Sequence, residues 1–251
     1  MDGSTKTQRV KLVLLPGMDG TGDLFADFIA ALPESFETVT VRYPTDRCLS
    51  YSDLTELVQV SCPVSEPFVL VAESYSTPLA IRLAASNPKN LEGLVLCAGF
   101  ATSPVRGWCR VLGRLLGPLI CRVRLPSLAA KLWLVGLSAP PSLLKAVRSA
   151  VSSVRPKVLA ARLRAVLACE VRAEMAQVGV PILYLQAKQD RLVSVSCLEE
   201  LRQIKPQMTV VALGGPHLLL QREPCKAAEM VARFVRSLRS SGEREAGGPG
   251  F

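Results

Sequence analysis

Three residues of complementary chemistry stand far apart in the chain: Ser74 in VAESYSTPLA, Asp190 in QAKQDRLVS and His217 in LGGPHLLL. A serine hydroxyl becomes a nucleophile when a base takes its proton, and the base needs an acid that orients it and stabilises its cation. Serine, acid and histidine together suit acyl transfer through a covalent acyl-enzyme. His217 is the only histidine among 251 residues, so an imidazole base can come from nowhere else. The same scarcity argues against a metal centre. The eight cysteines are scattered at 48, 62, 97, 109, 121, 169, 197 and 225 with no CxxC pair, so no metal is expected. Plainer readings exist for each residue: Ser74 as a helix cap, Asp190 as a turn residue before Arg191, His217 as a structural histidine. Glu73, an acid beside the serine on the surface or near the site, is assigned no role.

What must position these side chains is a set of strands. RVKLVLLPG (9–17), ETVTVRYP (37–44), PFVLVAES (67–74), LEGLVLCAGF (91–100), PILYLQAKQD (181–190) and QMTVVALGG (207–215) read as six strands. Helical patterns alternate with them: DLFADFIAAL, YSDLTELVQVSCP, TPLAIRLAASNP, SCLEELRQI and EPCKAAEMVARFVRSLRS. The last carries a continuous apolar stripe of Ala227, Met230, Val231, Phe234, Val235 and Leu238. Strands that are apolar on both faces, alternating with amphipathic helices, predict a three-layer α/β/α fold around a mostly parallel, six-stranded sheet. Reactive groups in such sheets gather just after the strands. Ser74, Asp190 and His217 all fall there.

The alternation breaks between the fourth and fifth strands. Residues 101–178 show helical patterns and no convincing strand, and they predict an inserted helical cap on a core formed by 9–100 and 179–239. A polar, glycine-rich tail at 240–251 is expected to be disordered. The insertion is basic. Residues 101–172 hold thirteen Lys or Arg and one acid, Glu170, which leaves the rest at a net −3 in a chain of +9. Within it Trp108, Val111, Leu112, Leu115 and Leu116 share one helical face, while Arg106, Arg110 and Arg114 recur every four residues on another. A helix of this kind can close over a greasy pocket and present guanidinium groups to an anion. Its plainer reading is a solvated face.

With these motifs assembled, the chain resembles the α/β-hydrolase superfamily, in its serine carboxylesterase-like branch with a helical cap, from about residue 9 to 239. LLPGMDGTG (14–22) resembles the oxyanion loop, AESYS the nucleophile elbow, QDRLVS the acid loop and GGPH the histidine loop. The order serine, acid, histidine is that of the fold. The resemblance implies that Ser74 is the nucleophile, His217 the base and then acid, and Asp190 its orienting partner. It also implies an oxyanion hole formed by the Met18 and Tyr75 backbone N–H groups, with Gly17 in the same loop. Departures are visible. The elbow is usually G-x-S-x-G, whereas Ala72 and Ser76 stand here, and Thr77 crowds the next position. Pro16 replaces a histidine of many relatives, and the two antiparallel strands that often open the fold are not expected here.

The expected function is hydrolysis of carboxylic esters or thioesters of apolar acyl groups, with no cofactor. An acyltransferase using the same triad is one alternative, and a hydrolase-like binding protein with an imperfect elbow is another. The basic insertion is expected to meet an acidic acyl-carrier protein or an acidic membrane surface, by analogy with carboxylesterases whose caps carry arginines. Nucleic acid is not expected, because arginines interleave with leucines and no recognised module is present. No signal peptide pattern or bilayer-length apolar run is found, and the expected location is cytoplasmic.

Overall fold

The computed structural model describes residues 10–105 and 131–246. Six strands form one sheet: β1 (Val10–Leu15), β2 (Phe36–Thr40), β3 (Phe68–Glu73), β4 (Leu91–Cys97), β5 (Ile182–Ala187) and β6 (Thr209–Leu213). Their order is β2-β1-β3-β4-β5-β6, and every pairing is parallel. The sheet matches the expectation in strand number and direction. Chain order reverses between β1 and β3, since β2 is laid on one side of β1 and the later strands on the other. That reversal opens a crevice at the carboxyl ends, where ligands bind in sheets of this type.

Successive side chains of a strand point to opposite faces, so each strand supplies two cores. Val13, Leu15, Leu70, Ala72, Leu94, Leu96 and Tyr184 face α2 (Tyr51–Ser61), α3 (Thr77–Ala85) and α7 (Val195–Ile204). Leu12, Leu14, Val69, Val71, Val95, Leu183 and Leu185 face the opposite layer of α1 (Ala26–Ala30), α8 (Leu219–Arg222) and α9 (Pro224–Ala246). Along α9 the stripe read from sequence is the buried one: Ala227, Val231 and Val235 are fully enclosed.

Between β4 and β5 the described residues are helical: a π-turn at Lys131–Val135, α4 (Pro141–Ser152), α5 (Pro156–Leu167) and α6 (Arg172–Gln177). An isolated antiparallel bridge pairs Thr102 with Glu170 at the root of this segment. The expected anion-contacting residues Arg106, Arg110, Arg114 and Trp108 lie outside the described residues. One boundary moves. α9 continues through Ala246, beyond residue 240 where the polar tail was expected to begin. The serine, glutamate and arginine residues that follow the apolar stripe extend a helix already started, because propagation is far easier than nucleation.

Candidate active site

Ser74 follows β3, whose six residues are all buried and which is paired with β1 on one side and β4 on the other. Its own backbone has φ 50°, the left-handed region that a non-glycine residue occupies at a cost of about 1–3 kcal/mol. The rigid strand behind it and the helical turn Ser74–Ser76 ahead, leading into α3, hold it there. The result is a hydroxyl carried on a sharp turn above the sheet.

The unusual elbow residues are accommodated by specific contacts. Ala72 and Ser76 are fully buried. Ser76 Oγ donates to the Pro16 carbonyl, and Tyr43 Oη lies 2.7 Å from the same oxygen, so the tyrosine donates to it in turn. A hydroxyl thus ties the elbow to the ends of β1 and β2. Thr77 does not crowd the turn. Its Oγ1 donates to the Ser74 carbonyl at 2.8 Å and accepts from Phe100 N–H at 3.2 Å. Room comes from Gly99, where a Cβ would stand 2.9 Å from Thr77 Cγ2.

The three separated residues converge. His217 Nε2 is 2.7 Å from Ser74 Oγ, and Nδ1 is 2.8 Å from Asp190 Oδ2. The side chains of His217 and Asp190 are only 4% and 5% exposed, which keeps their hydrogen bond out of competition with water. Asp190 Oδ1 accepts from the N–H groups of Leu192 and Val193 at 2.8 and 2.9 Å, so its other oxygen is fixed toward the imidazole. The acid and histidine loops are also sewn together, with Gln189 N–H donating to the Gly215 carbonyl at 2.9 Å.

The loop after β1 runs beside the elbow, as the register Leu15↔Ala72 requires. Gly20 N–H donates to the Gly17 carbonyl at 3.0 Å, closing a tight turn over residues 17–20. Asp19 Oδ2 accepts from Thr21 N–H at 2.9 Å and Thr21 Oγ1 at 2.6 Å. Glycine is required at Gly20 and Gly22, with φ 70° and 75°, whereas a Cβ at Gly17 would meet only ordinary contacts at 3.6 and 3.7 Å. Met18 N–H has no acceptor among the described residues. Tyr75 N–H opens the turn after Ser74, where a helical N–H has no partner within the helix.

Sequence reading missed three features. Glu73, expected on the surface or near the site, is 1% exposed beneath the triad. Its Oε2 accepts from Gln221 Nε2 at 3.2 Å, and Oε1 has no partner among the described residues. Burial pushes its carboxyl up to about 7, opposed by His217 and by the Gln221 hydrogen bond. The β3 alternation carries the signal, because every residue of that strand is interior. The second feature is the Ser76–Pro16–Tyr43 contact. The third is Arg162 of α5, buried against the loop after β1. Its signal is spacing: Val158, Arg162 and Val166 recur every four residues on one buried face.

Chemically, the arrangement offers a hydroxyl whose proton can pass to an oriented imidazole, next to backbone donors that can receive a developing oxyanion. The sequence profile described as "Alpha/beta hydrolase family" matches residues 12–230. The chain is 25% identical over 257 aligned residues to the biotin biosynthesis bifunctional protein BioHC of Cellvibrio japonicus (strain Ueda107). That alignment takes in 98% of this chain and 46% of the relative, so the chain spans about half the length of the curated protein it matches. A bacterial membrane phospholipase A described as a virulence factor superposes with a TM-score of 0.75 at 21% identity, over 94% of this chain and 81% of that one. An enol-lactonase from Burkholderia xenovorans LB400 superposes with 0.74 at 17% identity, over 94% of each chain. The two structures speak to the fold.

Proposed function

The chain belongs to the alpha/beta hydrolase family, and from that premise we propose that it is a serine hydrolase of carboxylic esters or thioesters with apolar acyl groups. The observation that carries the reading is the continuous contact Ser74 Oγ to His217 Nε2 and His217 Nδ1 to Asp190 Oδ2, at 2.7 and 2.8 Å. Ser74 Oγ attacks the substrate carbonyl carbon while Nε2 takes its proton. The carbonyl oxygen becomes an anion held by the Met18 and Tyr75 N–H groups, and Asp190 stabilises the imidazolium. Collapse of the tetrahedral species breaks the bond to the leaving group, which takes the proton from Nε2. Water then attacks the acyl-enzyme, with His217 again receiving and returning a proton, and the acid departs.

Labelling with a fluorophosphonate probe tests this directly. The wild type is expected to be labelled, and Ser74→Ala to lose both labelling and p-nitrophenyl ester turnover, the latter by about 10⁴-fold or more. Equal labelling of both proteins, which would place the reactive group elsewhere, or of neither, as in a hydrolase-like binding protein, overturns the reading. Acyl transfer to an alcohol is separated by the products: an added alcohol would then accept the acyl group in place of water.

A further inference from the structure

We propose that Arg162 is a positioning residue for the oxyanion hole, acting from α5 on the Met18 N–H through two peptide groups. Its Nη1 donates to the Met18 and Asp19 carbonyls, each at 2.8 Å, and its Nη2 to the Pro44 carbonyl at 3.0 Å. Arg162 is 3% exposed, and among the described residues no carboxylate lies within ion-pair distance of it. A buried cation without a carboxylate is costly unless its hydrogen bonds are filled. Here backbone carbonyls take three of its N–H groups, and the rings of Tyr43 and Tyr75 lie 5.7 and 6.0 Å from its Cζ. Gly20 makes the seat: a Cβ there would stand 2.6 Å from Nη1.

The connection to the site follows from which atoms share a peptide bond. The Asp19 carbonyl that Arg162 binds belongs to the same peptide as the Gly20 N–H. That N–H donates to the Gly17 carbonyl at 3.0 Å. The Gly17 carbonyl belongs to the same peptide as the Met18 N–H, the proposed oxyanion donor. A charge at one end therefore polarises and orients the donor at the other. Polarisation alone strengthens each bond by about 10–30%, which is a small effect. Orientation is the larger one, since a displacement of about 1 Å at a reacting group can cost about 10²-fold in rate. The fork fixes three carbonyls from two loops, so removing it frees the whole turn over residues 17–20. This inference rests on the serine-hydrolase reading above.

The test uses full-length wild type, Arg162→Lys, Arg162→Met and Arg162→Ala. It measures steady-state hydrolysis of a short p-nitrophenyl ester, affinity for an alkyl trifluoromethyl ketone, fluorophosphonate labelling and thermal unfolding. Lysine keeps a cation in the same space but cannot fork to three carbonyls. Expected is a kcat loss of about 10- to 100-fold in Arg162→Lys and Arg162→Met, below the full cost of deleting an oxyanion donor. KM should stay within about twofold, and the ketone, whose adduct carries an oxyanion, should weaken in step with kcat. Added methylguanidinium should restore part of the kcat of Arg162→Ala but none of that of Arg162→Met, where the space is filled. Should Arg162→Ala give no cooperative melt, Arg162→Lys carries the test. A labelled wild type with undiminished kcat in Arg162→Lys and Arg162→Met overturns the role of Arg162 alone. A wild type that is not labelled at Ser74 overturns the hydrolase reading together with it.

Discussion

Glu73 is the residue whose placement has the clearest energetic consequence. In an unfolded chain its carboxyl ionises in the ordinary range, near 4.5, whereas in the fold burial pushes it up to about 7. Between those values the native state binds the extra proton, so stability falls as pH rises through this window, and above it the full penalty is present. At about 1.4 kcal/mol per unit the penalty is of order a few kcal/mol. Glu73→Gln removes the titration and keeps the size. The variant is expected to melt well above the wild type at pH 8 and close to it at pH 4.5, in calorimetry at the two pH values. A difference independent of pH would mean that Glu73 is not the titrating group. At this scale the triad was legible in the sequence, because Ser74, Asp190 and His217 each follow a strand and His217 has no rival. Glu73 and Arg162 were not. A charged residue is presumed to face water, and only its neighbours on the same buried face argue otherwise.

At the scale of elements, the central strands and the long last helix determine one another. Gly93 of β4 lies under α9, and a Cβ there would stand 2.7 Å from Leu238 Cδ1 and 3.1 Å from Phe234 Cε1. The leucine tip can rotate away, whereas the aromatic edge is stiffer and is held by the core around it. Gly93→Ala is therefore expected to lift α9 slightly and cost about 1–3 kcal/mol. That corresponds to a Tm lower by roughly 2–10 °C in a chain of this size. Ester turnover at 25 °C should survive, because the strand ends carrying the triad lie away from this contact. Unchanged melting would show that the layer yields freely. The six strands and their alternation with helices were readable because a short continuous apolar run and a helically spaced stripe differ so plainly in RVKLVLLPG and in residues 227–238. The elbow was harder. Its tolerance of Ser76 and Thr77 depends on Pro16, Tyr43 and Gly99, which are distant in sequence and meet only in the folded chain.

At the scale of the molecule, the segment between β4 and β5 is tethered to the rim at several loops. Leu218 N–H, next to His217, donates to the Leu134 carbonyl at 3.0 Å, Arg155 N–H donates to the Thr45 carbonyl at 2.9 Å, and Arg162 grips the loop after β1. Its charge supports a further proposal on substrate class: an ester carried by an anionic carrier, drawn in by the arginines at 106, 110 and 114. Reversing all three to glutamate is expected to raise KM for a carrier-linked ester by about tenfold and to leave a short neutral ester unaffected, since steering acts on the charged partner. Equal losses on both substrates would remove the docking role. The molecule also has a practical property. With one imidazole per chain, a bulk measurement acquires the resolution of a site-specific label. The imidazole C–H resonances of an unlabelled sample, or the ultraviolet absorbance of its carbethoxylated ring, report on the junction between the ends of β3 and β6.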